Sequence, residues 1–525
     1  WWKTAILAFV GVTTIFLLYR RTPTGYTDLD NKKNETVLAF TSSMRNHTEV
    51  RKALQQLQSE MDGTIHFRDD EQDDTDGFAQ ACRVYYASAV QNVHTAPYAV
   101  LEVAHEKDVQ KAIVVLSRLR RTYDFPFRIR SGGHNKAGYS TVANGAVLSL
   151  QKMNQLKVVE VDDEKDPIAT TATARMQPAV LVQQFLQEVL ANHGYAGVVG
   201  YCPTVAEAGF ILGGGIGLQS RRYGLGLDNV VGMRVVLADG SVRHVSHNST
   251  DPLDVDLFWA LRGAGGGSFG VITELDYQIH KASNRIVYGA LRMQQASDRA
   301  DFLCRLGRKE QDILGNLMVM HDQTDTIGLM WSGQDDSEVN MAELYLTKLV
   351  DDLVPTPTPR DFKLIEGLWT KMFVDESSFS NTDVYAVRCW YGFLYPQNNT
   401  EGVWQDILRY ISNAVQDSSG FLLPDIEFWG GAIHDVSPNT TAFPHRSALF
   451  NVGVLLTVSN DTPDAESVFQ EEVAKVEAIW PKVSKYLTGS YVNYPTTTLL
   501  SGNYARAHWG DAAHQDVRAH ERLPL

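Results

Sequence analysis

The stretch Arg130–Ser140, Arg-Ser-Gly-Gly-His-Asn-Lys-Ala-Gly-Tyr-Ser, has the most chemically specific pattern in this chain. His134 follows a Gly-Gly pair, directly after the alternating segment Phe127–Arg130, which is typical of a β-strand. A turn without Cβ atoms at Gly132 and Gly133 can approach a flat ligand closely, and its peptide N–H groups can bind phosphate. A histidine in such a turn can be a covalent anchor, although a single histidine is more often a hydrogen-bonded core residue.

A second glycine-rich block contains a cysteine. The chain reads Gly-Tyr-Cys-Pro-Thr-Val at Gly200–Val205, and the block continues through Gly217 to Asn229. A deprotonated thiol is a nucleophile, so Cys202 can also bond to an electron-poor ligand. A cysteine taken alone is more often an inert buried thiol. The joint occurrence of His134 and Cys202 in two glycine-rich contexts favours the interpretation that both are anchors.

A third block, Asp256–Thr273, contains the pattern Gly-x-Gly-x-x-Gly, which ends at Gly270. This pattern binds dinucleotides when it follows a strand and opens a helix. Here a helix-like run, Leu257–Leu261, precedes the pattern, and a β-type run, Val271–Tyr277, follows it. We therefore reject a nicotinamide-dinucleotide site and expect these glycines to form a tight turn.

In this order and spacing, the three blocks resemble the PCMH-type FAD-binding domain of the vanillyl-alcohol oxidase superfamily, and most closely its berberine-bridge-enzyme-like group. The resemblance is strong over residues 78–280. It continues more weakly at Trp429-Gly-Gly-Ala-Ile433, Ala442-Phe-Pro-His-Arg446 and Tyr491-Val-Asn-Tyr-Pro495. It implies an α+β fold, in which a two-subdomain FAD-binding domain precedes a substrate domain with a large antiparallel sheet covered by helices.

The resemblance implies FAD held by two covalent bonds, from His134 to the flavin 8α-methyl group and from Cys202 to flavin C6. It also implies FAD contacts by further residues of the three blocks: Arg130, Ser131, Gly132, Gly133, Gly138, Ser140, Val205, Gly209, Gly213, Gly214, Gly215, Gly217, Tyr223, Asp228, Gly270 and Ile272. No metal is expected, since no cysteine pair has the Cys-x-x-Cys spacing.

A catalytic base is expected in the Tyr-x-Asn-Tyr segment. Oxidation of an alcohol or amine needs a proton acceptor within hydrogen-bond reach of the substrate. In many relatives the second tyrosine has this role, which corresponds to Tyr494 here. Because a free tyrosine has a pKa near 10, Tyr494 would need help from a neighbour such as Tyr491. An ordinary core position is the alternative for Tyr494.

Other relatives use a Glu or Gln on a strand that corresponds to Ala448–Thr457. This chain has Gly453 at that position, with Asn451 on the same face by period-two alternation. We therefore expect no carboxylate base and a roomier pocket. Asn451, Trp429 and Glu427 are candidates to line that pocket, and core or surface roles are equally open for each.

The resemblance implies an FAD-dependent oxidoreductase that oxidises an alcohol, amine or activated C–H of a small organic molecule and passes the electrons to O2. Specialised-metabolite tailoring is the expected setting, with oligosaccharide oxidation as the enzymatic rival. After Asp511 the chain departs from its relatives, in which the tail packs back onto the FAD domain. A flavin-binding or flavin-free protein without turnover is therefore the alternative of another class.

The elements that must position these residues follow from hydrophobic periodicity. Strands at Tyr98–Val103 and Phe127–Arg130, with a helix between them, form a β-α-β unit that delivers His134 to the following loop. A second helix is expected from near Pro178 to Gly194. Met233–Val245 is typical of a hairpin that turns at Asp-Gly.

The pattern of the sequence changes at about residue 281. From there the glycine-rich loops become fewer, and segments typical of strands alternate with long helical runs such as Asp361–Lys371 and Ala465–Leu487. We divide the chain into an N-terminal anchor or signal (1–21), a polar stalk and irregular start (22–77), the FAD-binding domain (78–280), a substrate domain (281–480) and a C-terminal segment that returns to the FAD domain (481–525).

The 525 residues carry 47 Lys and Arg against 62 Asp and Glu, a net charge of −15, which argues against nucleic acid or anionic lipid as partners. The four cysteines are too few for a disulfide framework, and the sequence selects no pair. We expect a monomer that acts on a small molecule.

The uncharged, mostly apolar residues 5–18 favour a signal anchor over a cleaved signal. The arginines that follow would hold the body in the cytosol. The chain nevertheless has six Asn-x-Ser/Thr sequons, where composition gives roughly three. They lie at Asn34, Asn46, Asn248, Asn398, Asn439 and Asn460. We expect the secretory pathway, with a membrane-anchored or secreted body that contacts membrane only through its N-terminal segment.

Overall fold

The structure is a computed structural model that describes residues 47–68, 75–85, 96–159, 171–321, 325–354, 360–366, 384–418, 422–496 and 504–509. The apolar N-terminal run, the sequons at Asn34 and Asn46 and the tail after Asp511 lie outside these residues. No helix in the described ranges is long and apolar enough to cross a bilayer. The chain forms two compact units, Trp1–Gln56 and Leu57–Leu525, and the second contains all that follows.

The first sheet has four strands, in the order β1-β2-β4-β3. They are Thr64–Phe67 (β1), Ala99–Glu102 (β2), Phe127–Arg130 (β3) and Ala146–Ser149 (β4). β2 and β3 both pair with β4 in parallel, and helix Glu106–Tyr123 connects β2 to β3. The predicted β-α-β unit is confirmed, with β4 inserted between its two strands. β2 and β4 are almost fully buried, as parallel strands covered on both faces are.

The second sheet is antiparallel, with the order β5-β6-β10-β8-β9 and with β7 paired to β10. Its strands are Leu156–Val159 (β5), Thr171–Met176 (β6), Tyr195–Ala196 (β7), Val230–Val236 (β8), Val242–Ser246 (β9) and Val271–Lys281 (β10). The predicted hairpin is β8-β9, and it turns at Asp239-Gly240, where Gly240 has φ +82°. Helix Pro252–Ala260 precedes the third glycine block and β10 follows it, as the rejection of a dinucleotide fingerprint requires.

The third sheet has seven antiparallel strands, in the order β14-β11-β13-β12-β16-β17-β15. They are Arg285–Arg292 (β11), Leu317–His321 (β12), Thr326–Ser332 (β13), Arg360–Glu366 (β14), Val384–Leu394 (β15), Leu422–Phe428 (β16) and Phe450–Ser459 (β17). A hydrophobic cluster joins this sheet to the helices that cover it, which confirms the expected large antiparallel sheet covered by helices.

The remaining helices are Thr75–Cys82, Val182–Phe185 with its π-helical continuation Leu186–Asn192, Glu207–Leu212, Ser220–Tyr223, Ala296–Arg308, Asp336–Asn340, Ala342–Leu353, Glu401–Asp417, Ala465–Ser484 and Tyr504–Trp509. The long helix predicted at Ala465–Leu487 is confirmed to within three residues.

Two sequence predictions of helices need correction. The helix expected from near Pro178 begins at Val182 and passes into a π-helical segment before Gly194. The helix expected over Asp361–Lys371 is wrong in its described part, because Arg360–Glu366 is strand β14, paired with β11. Apolar and polar residues alternate at its start, which is the period of a strand. The domain boundaries stay predictions.

Candidate cofactor and active site

The loop after β3 presents a row of backbone N–H groups. Within the described ranges, the five N–H groups from Gly132 to Lys136 have no hydrogen-bond acceptor. Gly133 has φ +78°, a conformation that favours glycine. A Cβ on Gly132 would lie 2.8 Å from the backbone nitrogen of Ala206 in the second glycine block. The two blocks therefore touch here, and the unused N–H groups of the first block suit a phosphate group.

Arg130 supports this loop from below. Its side chain is buried and donates to the carbonyl of Ala81 and, at 3.3 Å, to Ser149 Oγ. Burial lowers the pKa of Arg130 to about 10. A cation at the carbonyl end of helix Thr75–Cys82 is favourable. Arg130 thus links the end of β3, where the loop starts, to helix Thr75–Cys82 and to β4.

His134 and Cys202 converge on one hydroxyl group. His134 Nε2 lies 2.9 Å from Thr204 Oγ1, and Cys202 Sγ lies 3.5 Å from the same oxygen. The Tyr85 ring stacks on the imidazole, with centroids 4.1 Å apart. Burial, with the Lys136 charge acting in the same direction, lowers the pKa of His134 to about 3, so the imidazole is neutral.

All four cysteines are free thiols, so no disulfide forms. Cys82, Cys304 and Cys389 are buried, whereas Cys202 is partly exposed beside the glycine loop. Burial raises the pKa of Cys82 and of Cys389 to about 11, which keeps both as inert thiols. The structure thus separates Cys202 from three structural cysteines.

The C-terminal segment packs directly on the second glycine block. The N–H groups of Gly215 and Ile216 donate to the Tyr491 hydroxyl oxygen at 2.9 and 3.3 Å, and Asn493 Nδ2 donates to it at 2.8 Å. A Cβ on Gly213 would lie 2.1 Å from Asn493 Oδ1. Burial nevertheless raises the pKa of Tyr491 to about 12. Tyr491 therefore ties this segment to the glycine block.

Tyr494 lies among other rings and a lysine. Its centroid is 4.6 Å from that of Tyr391 and 4.9 Å from that of Tyr491. Lys136 Nζ, from the His134 loop, lies 4.2 Å from the Tyr494 centroid. Burial raises the pKa of Tyr494 well above its usual value, and nearby carboxylates add to the effect. Tyr494 is therefore a neutral phenol here, with one cation at its ring face.

Gly453 explains the shape of the adjoining sheet surface. It lies opposite Tyr391 in β15 and opposite Asp425 in β16. A Cβ on Gly453 would lie 2.3 Å from Cδ1 of Tyr391, and the Tyr391 hydroxyl donates to Asp425 Oδ2 at 2.6 Å. The expected roomier pocket is therefore wrong, because the Tyr391 ring fills the space. At this position β17 has no carboxylate, in agreement with the sequence, and the neighbouring strand β16 supplies the carboxyl group of Asp425.

A second carboxyl group is buried beside it. Glu427 in β16 lies opposite Asn451 in β17, and Asn451 Nδ2 donates to Glu427 Oε2 at 2.9 Å. Burial, with the charge of Asp425 in second place, raises the pKa of Glu427 to about 8. Glu427 and Trp429 line a small cavity together with Met318. The three residues named as pocket candidates thus occur together.

Asp228 is held by the Pro-His-Arg motif. Its two carboxylate oxygens accept from Arg446 at 2.6 and 2.8 Å, and one also accepts from the Leu225 N–H at 2.8 Å. Arg446 is fully buried and also donates to Thr441. The structure therefore gives Asp228 a bridging contact between the glycine block and the C-terminal half.

The other residues expected at FAD lie in the same loops and in the short helices and strands beside them: Ser131, Gly138, Ser140, Val205, Gly209, Gly214, Gly217, Tyr223, Gly270 and Ile272. Two of them have clear packing reasons. Tyr223 stacks on His280 with centroids 3.8 Å apart, and a Cβ on Gly270 would lie 2.5 Å from Val235 Cγ2.

The site contains four residues that the sequence did not predict: Lys136, Thr204, Tyr391 and Asp425. The first two had a usable signal, since Lys136 is two residues after His134 and Thr204 is two residues after Cys202. Tyr391 and Asp425 meet only through the register of three strands, for which the local sequence has no signal.

The described end of the C-terminal segment is anchored. His445 Nε2 lies 2.9 Å from the Ala507 carbonyl oxygen, and its Nδ1 lies 2.9 Å from the Tyr395 hydroxyl. His508 Nδ1 lies 2.9 Å from the Ser490 carbonyl. His445 of the Pro-His-Arg motif thus fixes helix Tyr504–Trp509, which is the last helix that the structure describes.

Comparisons with known proteins identify the domain that contains the first two glycine blocks. Residues 97–246 match a family described as FAD binding domain. The chain is 27% identical to glucooligosaccharide oxidase of Sarocladium strictum over 398 residues, which is 72% of this chain and 76% of that protein. It is 24% identical to berberine bridge enzyme-like 1 of Arabidopsis thaliana over 438 residues, or 79% and 78% of the two chains.

Among solved structures, chitooligosaccharide oxidase superposes with a TM-score of 0.73 at 19% identity, covering 90% of this chain and 96% of that chain. This likeness establishes the fold, and the sequence matches add the cofactor and the class of enzyme. Over most of its length the chain is therefore similar to berberine-bridge-enzyme-like FAD-linked oxidoreductases, and it has the PCMH-type fold that its glycine blocks led us to expect.

Proposed function

We propose that this oxidoreductase holds FAD through two covalent bonds, one from His134 and one from Cys202. The observation that carries the proposal is their convergence on Thr204 Oγ1, at 2.9 Å and 3.5 Å. The flavin 8α-methyl group and C6 lie along the same edge of the ring, so both bonds need such a close approach. The unused N–H groups of Gly132–Lys136 lie in the same loop as His134 and suit the pyrophosphate.

Acid precipitation tests this attachment. The wild-type pellet should stay yellow, and the pellet of Cys202→Ala should also stay yellow through the bond to His134. The double variant His134→Ala/Cys202→Ala should give a colourless pellet and a yellow supernatant. A colourless wild-type pellet would remove the covalent proposal altogether.

FAD, when bound, supplies the two-electron acceptor for oxidation. The chain itself must supply a group that accepts the substrate proton. We propose Tyr494 for this role, with Lys136 at its ring face and Tyr491 fixing the segment. Glu427 is the second candidate, since its raised pKa of about 8 puts its titration near neutral pH. Asn451 would orient Glu427 through their hydrogen bond.

The proposed substrate is a small organic molecule with an alcohol, amine or activated C–H, and the proposed acceptor is O2. Tyr391 and Tyr494, with ring centroids 4.6 Å apart, supply an aromatic surface of the kind that suits a specialised metabolite. Oligosaccharide oxidation is the second candidate. It gains support from two relatives named as oligosaccharide oxidases and from the carboxyl groups of Asp425 and Glu427.

Anaerobic bleaching of the flavin separates the two substrate classes. The purified holoenzyme is mixed with matched pools of aromatic alcohols and amines or of oligosaccharides. Bleaching by the first pool alone supports the metabolite class, and bleaching by the second alone overturns it. Bleaching by neither pool supports a protein without turnover, although the anchoring of Tyr504–Trp509 by His445 favours a working enzyme.

A further inference from the structure

We propose that Thr204 is the shared positioning residue for both flavin bonds. Its hydroxyl oxygen accepts a hydrogen bond from the Nε2–H group of His134, and its hydroxyl group donates a hydrogen bond to the sulfur of Cys202. This inference rests on the proposed two-bond attachment and adds the group that prepares both nucleophiles. Thr204 contacts both side chains through a single oxygen, at 2.9 and 3.5 Å. A hydroxyl has one donor and two acceptor positions, so it can serve both partners at once.

For His134, the contact selects the tautomer. A neutral imidazole carries one N–H, and the nitrogen without hydrogen is the nucleophile. With Nε2–H donated to Thr204, the free electron pair is on Nδ1. The reverse direction, with Thr204 donating to Nε2, would put the proton on Nδ1 and leave no nucleophile there. Burial keeps the ring neutral, and stacking on Tyr85 adds a second constraint on its orientation.

For Cys202, the contact holds the sulfur in place. The sulfur is the nucleophile, and a hydrogen bond from the Thr204 hydroxyl fixes its position beside the His134 loop. Cys202 also has a side-chain hydrogen bond with Tyr85. The sulfur therefore has two hydroxyl neighbours, Thr204 and Tyr85, and Thr204 hydrogen-bonds to His134 as well.

The chemistry balances with O2 as the oxidant. Each new bond replaces one hydrogen of the flavin, on the 8α-methyl carbon or on C6, and one hydrogen of the side chain. The nitrogen or sulfur electron pair forms the bond. The two electrons and two protons that are released leave with O2 as H2O2, so each attachment consumes one O2.

Peptide mass spectrometry of the purified full chain tests the proposal. Trypsin should release His134 in Ser131–Lys136 and Cys202 in Met176–Arg221, and flavin should join the two peptides in the wild type. Thr204→Val removes the hydroxyl and keeps the shape of the side chain. We therefore expect the fraction of chains that carry both flavin bonds to fall about tenfold, because the fraction bonded at His134 and the fraction bonded at Cys202 should each decrease. Thr204→Ser should restore them. Thr326→Val in β13 is the matched control for loss of a threonine hydroxyl and should leave both bonds intact.

Tyr85→Phe separates a positioning role from a general loss of fold. It should weaken only the bond to Cys202, because the His134 contact with Thr204 remains. Wild-type levels of both bonds in Thr204→Val would overturn the proposal, as would failure of Thr204→Ser at an unchanged unfolding temperature. A wild type without any linked peptide would instead refute the covalent attachment itself.

Discussion

Glu427 and Tyr494, the two candidate proton acceptors, would act in different ranges of pH. Burial raises the pKa of Glu427 to about 8, so its carboxylate form, and with it the rate, would increase as pH rises through that value. Tyr494 has a pKa raised well above 10, so a reaction that depends on its phenolate would continue to accelerate at higher pH. The pH profile of flavin reduction therefore distinguishes the two candidates.

We predict that Tyr494→Phe slows anaerobic flavin reduction by about 10²-fold or more, because it removes a proton acceptor in the transition state. Stopped-flow absorbance measures the rate across the pH range. Glu427→Gln is the matched comparison, since the amide keeps the shape and the contact with Asn451. The role would move to Glu427 if Tyr494→Phe lost less than threefold while Glu427→Gln lost much more. In that case the rate of flavin reduction by Glu427→Gln should also not increase near pH 8.

The residues of this site differ in how far the sequence predicts them. His134 and Cys202 are short-range signals, because each lies in a glycine-rich loop whose backbone needs are local. Tyr391, Gly453 and Asp425 become neighbours only when β15, β16 and β17 pair in register. Because Gly453 has no side chain, the sequence led us to predict open space there, whereas the Tyr391 ring fills it.

At the scale of elements, the pair of Asp228 and Arg446 joins the second glycine block to the Pro-His-Arg motif. The contact is bidentate and Arg446 is only 1% exposed. Removal of one partner leaves a buried charge without compensation, which typically costs about 3–5 kcal/mol.

We predict that Asp228→Asn lowers the unfolding temperature far more than Arg175→Gln does. Arg175 pairs with Asp276 between neighbouring strands, but it is about half exposed, and such surface pairs are worth about 0–1 kcal/mol. Differential scanning calorimetry on the holoenzyme measures both changes. Equal shifts for the two variants would show that the buried pair carries no special weight.

Elements were predictable where a hydrophobic period continues over a long segment or where a turn signal separates two strands. Helix Ala465–Ser484 is an example of the first, and the hairpin β8-β9 with its Asp239-Gly240 turn is an example of the second. The helix predicted at Asp361–Lys371 failed because the alternation of apolar and charged residues at its start is too short to decide the element, and the pairing of Arg360–Glu366 with β11 makes that part a strand. Tertiary pairing of this kind has no signature within the segment itself.

At the scale of the whole molecule, the sequons carry the proposal of a secretory route. Asn248, Asn439 and Asn460 are exposed, so a glycan on any of them can extend into solvent. Asn398 differs, because its Nδ2 donates to the Tyr486 carbonyl at 2.8 Å. The hydroxyl of Thr400, the third residue of the same sequon, caps helix Glu401–Asp417.

We predict that protein secreted from a eukaryotic host shifts in gel mobility after treatment with an endoglycosidase. Substitution of Asn248, Asn439 or Asn460 by glutamine should each reduce that shift, whereas Asn398→Gln should leave it unchanged. A glycan on Asn398 would have to break the bond to Tyr486 and disturb the start of a helix that packs on the third sheet, so chains that carry it should fold poorly. No mobility shift in the wild type would contradict the secretory route, because the exposed asparagines are accessible in the folded body.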